Sequence, residues 1–496
     1  MSEIIAEKEK KISKEKVHSK TIFNYIIGPL LFGIIMLLPI PGLSFEGKTV
    51  LATLIWMVAW WIANPFPAGA ISLLPIVILP LMNALPGPVT AKAYGDPLNF
   101  LFLGGFAIAL ALEKWNLHER ISINIIGAFS GSTSGMVTGM LISSFFISMW
   151  VSNTATAMML LPIGTAMAAK VVTLMQQEED YTEKDGKNFT TSIVLGIAIG
   201  ATIGGSSTLI GTPPNLILAG LASQLYGIEI PFGKWMLFAL PLTAILLAVT
   251  IFVMTKFVFP VKIKKLQNGQ SFIKEEKIRI GKMTYEEKVV TGIFVLTIFL
   301  WLTRTFIWTK FVPGMSDTMI AIFAGILIFA WPASKKNGGK ILNADAFGKM
   351  PWSVLLMIGG GLAIAEGFQQ TDLAQWIGNQ LLALQGASYF AILIACCALA
   401  LVMTQVAPNT ATTTILVPIA SSLAVAVGVD PIPVMVITAL GAGFAYMLPI
   451  GTPTFGVVYA SGKIDMNDMI KMGGIIVIAA FFLLIGFVYY IYPIIF

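Results

Sequence analysis

The sequence is poor in charge, cysteine and histidine, and each shortage excludes a class of function. Only 11% of its 496 residues are charged, whereas soluble domains carry about 25%. Its two cysteines, Cys396 and Cys397, lie in an apolar run and cannot form a disulfide framework. Its two histidines, His18 and His118, belong to no metal-binding constellation. The sequence also shows no Gly-Lys-Ser/Thr phosphate loop and no acid–base pair, so we expect neither ATP hydrolysis nor enzyme catalysis.

Apolar residues are abundant instead. They make up 56% of the chain, and the mean hydropathy is +0.84. Runs long enough to cross about 30 Å of hydrocarbon recur throughout. We place eleven spans roughly at 22–43, 49–65, 67–86, 98–115, 191–225, 234–259, 287–307, 317–333, 351–368, 431–460 and 470–495. Two further apolar stretches, 122–172 and 379–427, are too long for one helix, which predicts helical hairpins that enter the membrane and return.

One polar motif occurs in both of these stretches. It reads Ser152-Asn153-Thr154-Ala155-Thr156 in the first and Pro408-Asn409-Thr410-Ala411-Thr412 in the second, 256 positions later. Gly211-Thr212-Pro213 likewise returns as Gly451-Thr452-Pro453, 240 positions later. The chain therefore contains an internal duplication. In a membrane protein, interrupted apolar segments at corresponding positions of two halves indicate the binding site of a transporter.

Lysine and arginine are concentrated in segments that we assign to the cytoplasm. These are the tail at 1–21, the linker at 260–286 and the loop at 333–350. Solvated loops and contacts with anionic lipid account for them, so no nucleic-acid binding is predicted. The linker separates a first half, 22–259, from a second, 287–496, and the C-terminus is expected outside. Because five spans, an odd number, lie between the hairpins, the halves are inverted and the hairpin tips approach one another near the midplane.

The residue types at the tips suit small ions. Asparagine, serine and threonine supply amide and hydroxyl groups that donate and accept hydrogen bonds. A helix that begins at such a motif adds free N–H groups and partial positive charge, which favour an anion. Glycine and proline at 204–215 and 449–453 are expected to break helices and expose carbonyl oxygens, the ligands of a small cation. A single such residue would more simply serve helix packing, but two matched motifs favour a site.

These motifs resemble the divalent anion/sodium symporter family, whose INDY-type members carry dicarboxylates and tricarboxylates. The resemblance covers nearly the whole chain after about residue 22 and includes Phe102-Leu-Gly-Gly-Phe, Glu113-Lys-Trp-Asn-Leu-His, Ser148-Met-Trp-Val-Ser-Asn-Thr-Ala-Thr and Gly211-Thr-Pro-Pro-Asn. It implies an all-α polytopic protein with eleven spans and two re-entrant hairpins, a homodimer in the plasma membrane, and an elevator motion of a transport domain against a scaffold. The substrates implied are succinate, malate, fumarate and 2-oxoglutarate or similar acids.

The resemblance also assigns roles to residues that match the family motifs. It places a first sodium site on Ser148, Ser152, Asn153 and Gly211, and a second on Thr404, Ala407, Asn409 and Gly451. It places the substrate carboxylates and the wall around them on Ser152, Asn153, Thr154, Thr212, Pro213, Pro408, Asn409, Thr410, Thr452 and Pro453. No cofactor is expected apart from sodium as a coupling ion.

Two departures from the family pattern surround the second sodium site. Pro408 stands where the family has serine, and Thr454-Phe455 stand where the first half has Pro214-Asn215. We therefore favour sodium-independent exchange of dicarboxylates, with sodium-coupled symport as the alternative. A membrane-bound carboxylate sensor or enzyme is more remote, because no signalling domain is evident. A channel is not favoured either, because the sequence shows no ring of charges that could form a selectivity filter. Glu366, at the end of an apolar run, is either a proton relay or, as we prefer, a group at the outer interface.

Overall fold

The regular secondary structure of the described residues is helical. The computed structural model describes residues 22–263, 271–380 and 386–496. Within these ranges it has one isolated bridge, between Pro332 and Lys340, and no strand. Nine of the described helices are long and apolar enough to cross a membrane, and five shorter apolar helices accompany them. The predicted all-α membrane fold is confirmed, whereas the count of eleven spans stays a prediction. The tail at 1–21, positions 264–270 of the linker and positions 381–385 of the second hairpin stretch lie outside the described residues.

The first half contains twelve helices. They are α1 Ile22–Leu37, α2 Phe45–Ala63, α3 Ala68–Ile71, α4 Leu74–Leu81, α5 Gly87–Tyr94, α6 Pro97–Lys114, α7 Leu117–Phe129, α8 Thr133–Ser148, α9 Asn153–Met175, α10 Glu183–Gly205, α11 Pro213–Tyr226 and α12 Phe232–Val253, the last extended by a π-helical turn Met254–Val258. The linker contributes α13, Ser271–Ile280. The linker predicted at 260–286 therefore contains a helix, and α14 begins just inside its end.

The second half is also built from helices. Its helices are α14 Tyr285–Thr303, a π-helical turn Arg304–Trp308, α15 Thr309–Phe311, α16 Asp317–Ala330, α17 Trp352–Gln370, α18 Leu373–Gln380, α19 Tyr389–Val406, α20 Asn409–Ala426, α21 Pro431–Gly443, α22 Pro453–Ala460, α23 Met466–Gly486 with a π-helical turn Phe487–Ile491, and α24 Tyr492–Ile495. A short 3₁₀ helix, Ala344–Lys349, precedes α17.

Both hairpins are shorter than the apolar stretches in which we expected them. The first consists of α8 and α9, so it begins at Thr133 instead of about residue 122. The residues before it form the separate helix α7, which ends at Phe129. Ser132 then starts α8 by accepting a hydrogen bond from Gly135 N. The second hairpin consists of α19 and α20 and spans 389–426. Apolar composition alone did not reveal these helix ends, because capping residues set them.

Helix α10 lies at the centre of the molecule and positions the site. Within its most apolar stretch, 94% of the residues are buried, against 28% for the span Met466–Ile495, which fits a position away from lipid. The α8–α9 hairpin packs on α10, and the α19–α20 hairpin packs on α21. Helices α2 to α6, α16 and α17 pack largely against one another at the side of this group. The two hairpins and the two interrupted helix pairs, α10–α11 and α21–α22, therefore form one packed unit.

Candidate functional site

Each hairpin tip is a break between two helices, closed by the same contact in both halves. In the first half, Ser148 Oγ at the end of α8 donates to Asn153 Oδ1 at the start of α9, over 2.8 Å. In the second, Thr404 Oγ1 donates to Asn409 Oδ1, also over 2.8 Å. Ser148 and Thr404 are both fully buried. The duplication in the sequence thus corresponds to a duplicated local structure in which an amide oxygen is held beside a hydroxyl.

The first interrupted helix brings further oxygens to its hairpin tip. Helix α10 ends at Gly205, and α11 begins eight positions later at Pro213. A Cβ on Gly205 would collide with Asn153 Oδ1 and would lie 3.1 Å from Gly211 O. A Cβ on Gly211 would lie 2.9 Å from Ser148 O and would collide with Gly205 O. One amide oxygen and three backbone carbonyl oxygens therefore lie close to these two glycines. Neutral oxygens at such helix breaks are the ligands that coupling cations find in transporters.

The second half keeps the main contacts of this arrangement despite its departures in sequence. Ser152 caps α9 by accepting from Ala155 N over 3.3 Å, whereas Pro408 makes no side-chain cap. Helix α20 nevertheless begins at Asn409. A Cβ on Gly451 would lie 3.0 Å from Thr404 O, in parallel with the first half. The substitution of serine by proline removes one capping bond and leaves the contact of the asparagine intact.

Asn409 and Thr404 also contact the end of the second interrupted helix. Asn409 Nδ2 donates to Gly443 O over 3.0 Å. Thr404 Oγ1 is also within hydrogen-bonding distance of Ala442 O, so its single proton is shared between that carbonyl and Asn409 Oδ1. Ala407 ends α19 with a bond from its N–H to Met403 O and is buried. The four residues that the resemblance assigned to a second sodium site therefore surround one buried break in the helices.

The two halves meet at their interruptions. Thr154 Oγ1, in the first turn of α9, lies 3.3 Å from Thr454 Oγ1, in the first turn of α22. A Cβ on Gly443 would lie 3.5 Å from Ser206 Oγ, so the ends of α10 and α21 are neighbours. Helix α9 packs against α22, and α20 packs against α11. Each hairpin is thus joined to the interrupted helix of the opposite half, as expected of inverted repeats that share one site.

Four helices begin at this junction, and none has an acidic residue in its first turn. They are α9, α11, α20 and α22, with Asn153, Pro213, Asn409 and Pro453 as first residues. Their partial positive charges are therefore not neutralised by carboxylates of their own, which favours a bound anion. Of the expected substrate residues, Thr212, Asn409 and Thr452 are buried, and Ser152, Asn153, Thr154, Pro213, Pro408, Thr410 and Pro453 are partly or fully exposed. The exposed members are accessible from solvent.

The site contains no cluster of acidic or imidazole ligands. Within residues 22–263, 271–380 and 386–496, no three histidine, cysteine, aspartate or glutamate side chains are grouped to hold a metal. A cation at the hairpin tips would therefore be bound by neutral oxygens. Glu366, the other candidate from the sequence, accepts hydrogen bonds from Gln224 of α11 and from Gln370 of its own helix. It joins α17 to α11.

Sequence reasoning missed two residues. Thr454 was noted only as the loss of a proline, although it supplies the hydroxyl that faces Thr154. Gln405 was not considered, yet its buried side chain bonds to four backbone groups at the second site. The signal for Gln405 was its polarity at the end of an apolar helix of mean hydropathy 2.2.

Comparisons with known proteins agree with this geometry. The sequence profile of the sodium:sulfate symporter transmembrane region matches residues 19–496. The chain is 41% identical over 486 residues to sodium-dependent dicarboxylate transporters named SdcS from Staphylococcus aureus, strains RF122 / ET3-1 and USA300, across 97% of this chain and 93% of theirs. The YdaH transporter of Alcanivorax borkumensis shares the fold alone, with a TM-score of 0.50 and 11% identity over 82% of this chain and 87% of its own. These relatives are transporters, which confirms that the chain is a multi-pass membrane transporter and not an enzyme.

Proposed function

Because the chain belongs to the sodium:sulfate symporter family, which comprises the divalent anion/sodium symporters, we propose that it carries dicarboxylates across the plasma membrane together with sodium. The observation that carries this proposal is the repeated contact between an asparagine amide oxygen and a buried hydroxyl at two helix breaks. It provides two neutral oxygen sites for cations beside four uncompensated helix N-termini that suit carboxylates. The relatives named as dicarboxylate transporters support the same substrate class.

Sodium symport now has better support than the exchange that the departures in sequence led us to favour. Both SdcS relatives are named sodium-dependent. Pro408 deletes a capping bond but not the bond between Thr404 and Asn409. The second site therefore retains its amide oxygen and its neighbouring carbonyls, and a symporter needs that site occupied so that cation and substrate raise one another's affinity.

The substrate lies, in this proposal, between the two tips. Asn153, Thr154, Asn409 and Thr410 face it from the hairpins, with Ser152 and Pro408 beside them. Thr212 and Thr452 start the opposing helices, and Pro213 and Pro453 form the wall. Two carboxylates of one dicarboxylate would then each receive N–H and hydroxyl donors from a different half.

The topology and assembly belong to the same proposal. The N-terminus and the linker lie in the cytoplasm and the C-terminus outside, which follows from the distribution of lysine and arginine. Two copies form a homodimer embedded in lipid, and the hairpin unit moves against the remaining helices as an elevator. Helices α2 to α6, α16 and α17 pack largely against one another and contact the hairpin unit mainly through α17 and α11, which supports this division.

Uptake by purified protein in liposomes tests the function. Empty vesicles with an inward sodium gradient should accumulate labelled succinate above its external concentration, and replacement of sodium by choline should abolish accumulation. The double variant Asn153→Ala, Asn409→Ala is the inactive control. If uptake instead required internal dicarboxylate and ignored choline replacement, the protein would be a sodium-independent exchanger and the proposed coupling would be wrong.

A further inference from the structure

The two interrupted segments are equivalent in sequence but are supported by different side chains. In the first half, Asn215 Nδ2 donates to Ser206 O over 3.2 Å and to Thr208 O over 2.7 Å. Thr208 Oγ1 in turn donates to Met149 O over 2.6 Å, which ties the segment to the tip of the hairpin. Asn215, inside the interrupted helix pair, is therefore the amide that holds the first unwound segment in shape.

The second half cannot use this support. The position 240 residues after Asn215 is Phe455, which is fully buried and whose ring lies edge-on to Tyr446 with centroids 6.2 Å apart. The amide comes from the hairpin instead. The position 256 residues after Met149 is Gln405, at the end of α19. An amide has thus been lost from the interrupted helix and gained on the hairpin that faces it.

Gln405 is bonded to the full capacity of its side chain. Its Oε1 accepts from Tyr446 N over 3.0 Å and from Met447 N over 3.1 Å. Its Nε2 donates to Phe444 O over 3.0 Å and to Leu401 O over 2.8 Å. An amide has two donors and two acceptor lone pairs, and the residue is only 7% exposed. No group of the side chain is left to bind an ion or a substrate, so Gln405 acts through the backbone that it holds.

That backbone adjoins the proposed second sodium site. The residues just before it, Ala442 and Gly443, offer the carbonyls that accept from Thr404 and Asn409. The carbonyls of Thr404 and Gln405 lie 3.0 and 3.3 Å from the position that a Cβ on Gly451 would take. Three of the four bonds of Gln405 fix residues between these two groups of oxygens.

We propose that Gln405 is the positioning residue of the second sodium site and replaces, from the hairpin side, the support that Asn215 gives the first. The inference rests on the proposed sodium symport. Gln405 joins the hairpin tip and the unwound segment directly, so that both sides of the second site keep their separation. Its loss would disorder the carbonyl ligands while leaving Asn409 and Thr404 in place.

Gln405→Met is the sharpest test, because methionine is the residue of the first half and has a similar length. In proteoliposomes, we expect the sodium concentration for half-maximal uptake to rise about tenfold or more, as for the loss of buried hydrogen bonds, and the Hill coefficient for sodium to fall towards one. The succinate KM at saturating sodium should change less. Gln405→Glu keeps acceptors for Tyr446 N and Met447 N but loses both donors. Its negative charge also favours a cation, so its sodium requirement should stay below that of Gln405→Met.

Two further variants separate positioning from general stability. Asn188→Leu removes another buried amide, which donates to Pro260 O over 2.8 Å away from the site; it should lower the melting temperature without changing sodium dependence. The pair Gln405→Met, Phe455→Asn places the methionine and the asparagine of the first half at the matching positions and should recover part of the sodium affinity. Sodium-dependent thermal protection, measured against choline at equal ionic strength, gives the same comparison without transport.

The outcomes distinguish the two proposals. If the natural protein itself transports without regard to sodium, the symport function is wrong and the role of Gln405 fails with it. If the natural protein depends on sodium and both Gln405 variants keep its sodium dependence while melting earlier, as Asn188→Leu does, Gln405 is a structural residue only. A rise in the sodium requirement of Gln405→Met, with recovery in the pair, supports the positioning role.

Discussion

Replacing Asn153 by alanine should abolish most sodium-dependent uptake while leaving the protein folded. The change removes the acceptor of the buried Ser148 hydroxyl and one oxygen of the first cation site. An unpaired buried hydroxyl costs about 1–3 kcal/mol, and a bond to a charged partner is worth about 1.5–3 kcal/mol. The sodium requirement should therefore rise roughly 10- to 150-fold, since 1.4 kcal/mol is a factor of ten.

Substrate binding by Asn153→Ala should weaken together with sodium binding. Because coupling between two sites is reciprocal, a site that binds sodium poorly at a given concentration also holds the dicarboxylate poorly. Raising sodium should then restore part of the succinate affinity of Asn153→Ala. Initial uptake rates in proteoliposomes, measured over a grid of sodium and succinate concentrations, would show this recovery as a fall in KM.

Two variants serve as controls for the Asn153→Ala measurement. Thr165→Ala, on the same helix, loses only the contacts of its hydroxyl with the Leu161 and Pro162 carbonyls one turn earlier, so its uptake should match that of the natural protein. Asn153→Asp keeps the oxygen but adds negative charge, which should favour sodium and oppose the anionic substrate. Ordinary transport by Asn153→Ala together with Asn409→Ala would refute the assignment of both tips.

Three further predictions concern the rest of the fold. Arg304→Ala should lower the melting temperature strongly, because it leaves the buried Asp317 carboxylate without its partner, at a cost of about 3–5 kcal/mol. Glu229 is an exposed partner of the same arginine, so Glu229→Gln should change the melting temperature little. Gly211→Ala should abolish uptake because its Cβ would collide with a carbonyl, and Gly451→Ala should be milder, with its nearest carbonyl at 3.0 Å. Ala155→Cys should react with an impermeant thiol reagent from the cytoplasmic side of inward-facing protein; reaction from outside alone would contradict the inverted topology.

The sequence was sufficient for the duplication, the helix breaks and the position of the two asparagines at those breaks. These features depend on local chemistry that repeats at fixed spacing: glycine and proline end helices, and an asparagine beside a serine or threonine appears in both halves. The bond from Ser148 to Asn153 spans only five positions, so its partners could be recognised from the motif. The start of α8 was missed because 122–172 was judged by its overall apolar composition, although Ser130, Gly131 and Ser132 interrupt it just before the helix begins.

Long-range compensation was the part that local patterns could not show. Phe455 was interpreted as damage to the second site, because the loss of an amide is visible at the aligned position. Its replacement, Gln405, lies 50 positions earlier in the sequence, and their relation appears only when α19 packs beside the unwound segment. The same limit applied to Thr454, whose partner Thr154 belongs to the other half.

The compensation has a consequence for how the two halves act together. In the first half, the cross-link between hairpin and unwound segment is one hydroxyl bond from Thr208 to Met149 O, and the main support lies within the interrupted helix pair. In the second half, three bonds of Gln405 cross that gap. Separating a hairpin from its segment would therefore break more bonds in the second half than in the first. If a cation site opens by such a separation, the first should open at lower cost, so the two ions of a symport cycle should be released in a fixed order, with the first-half ion leaving earlier.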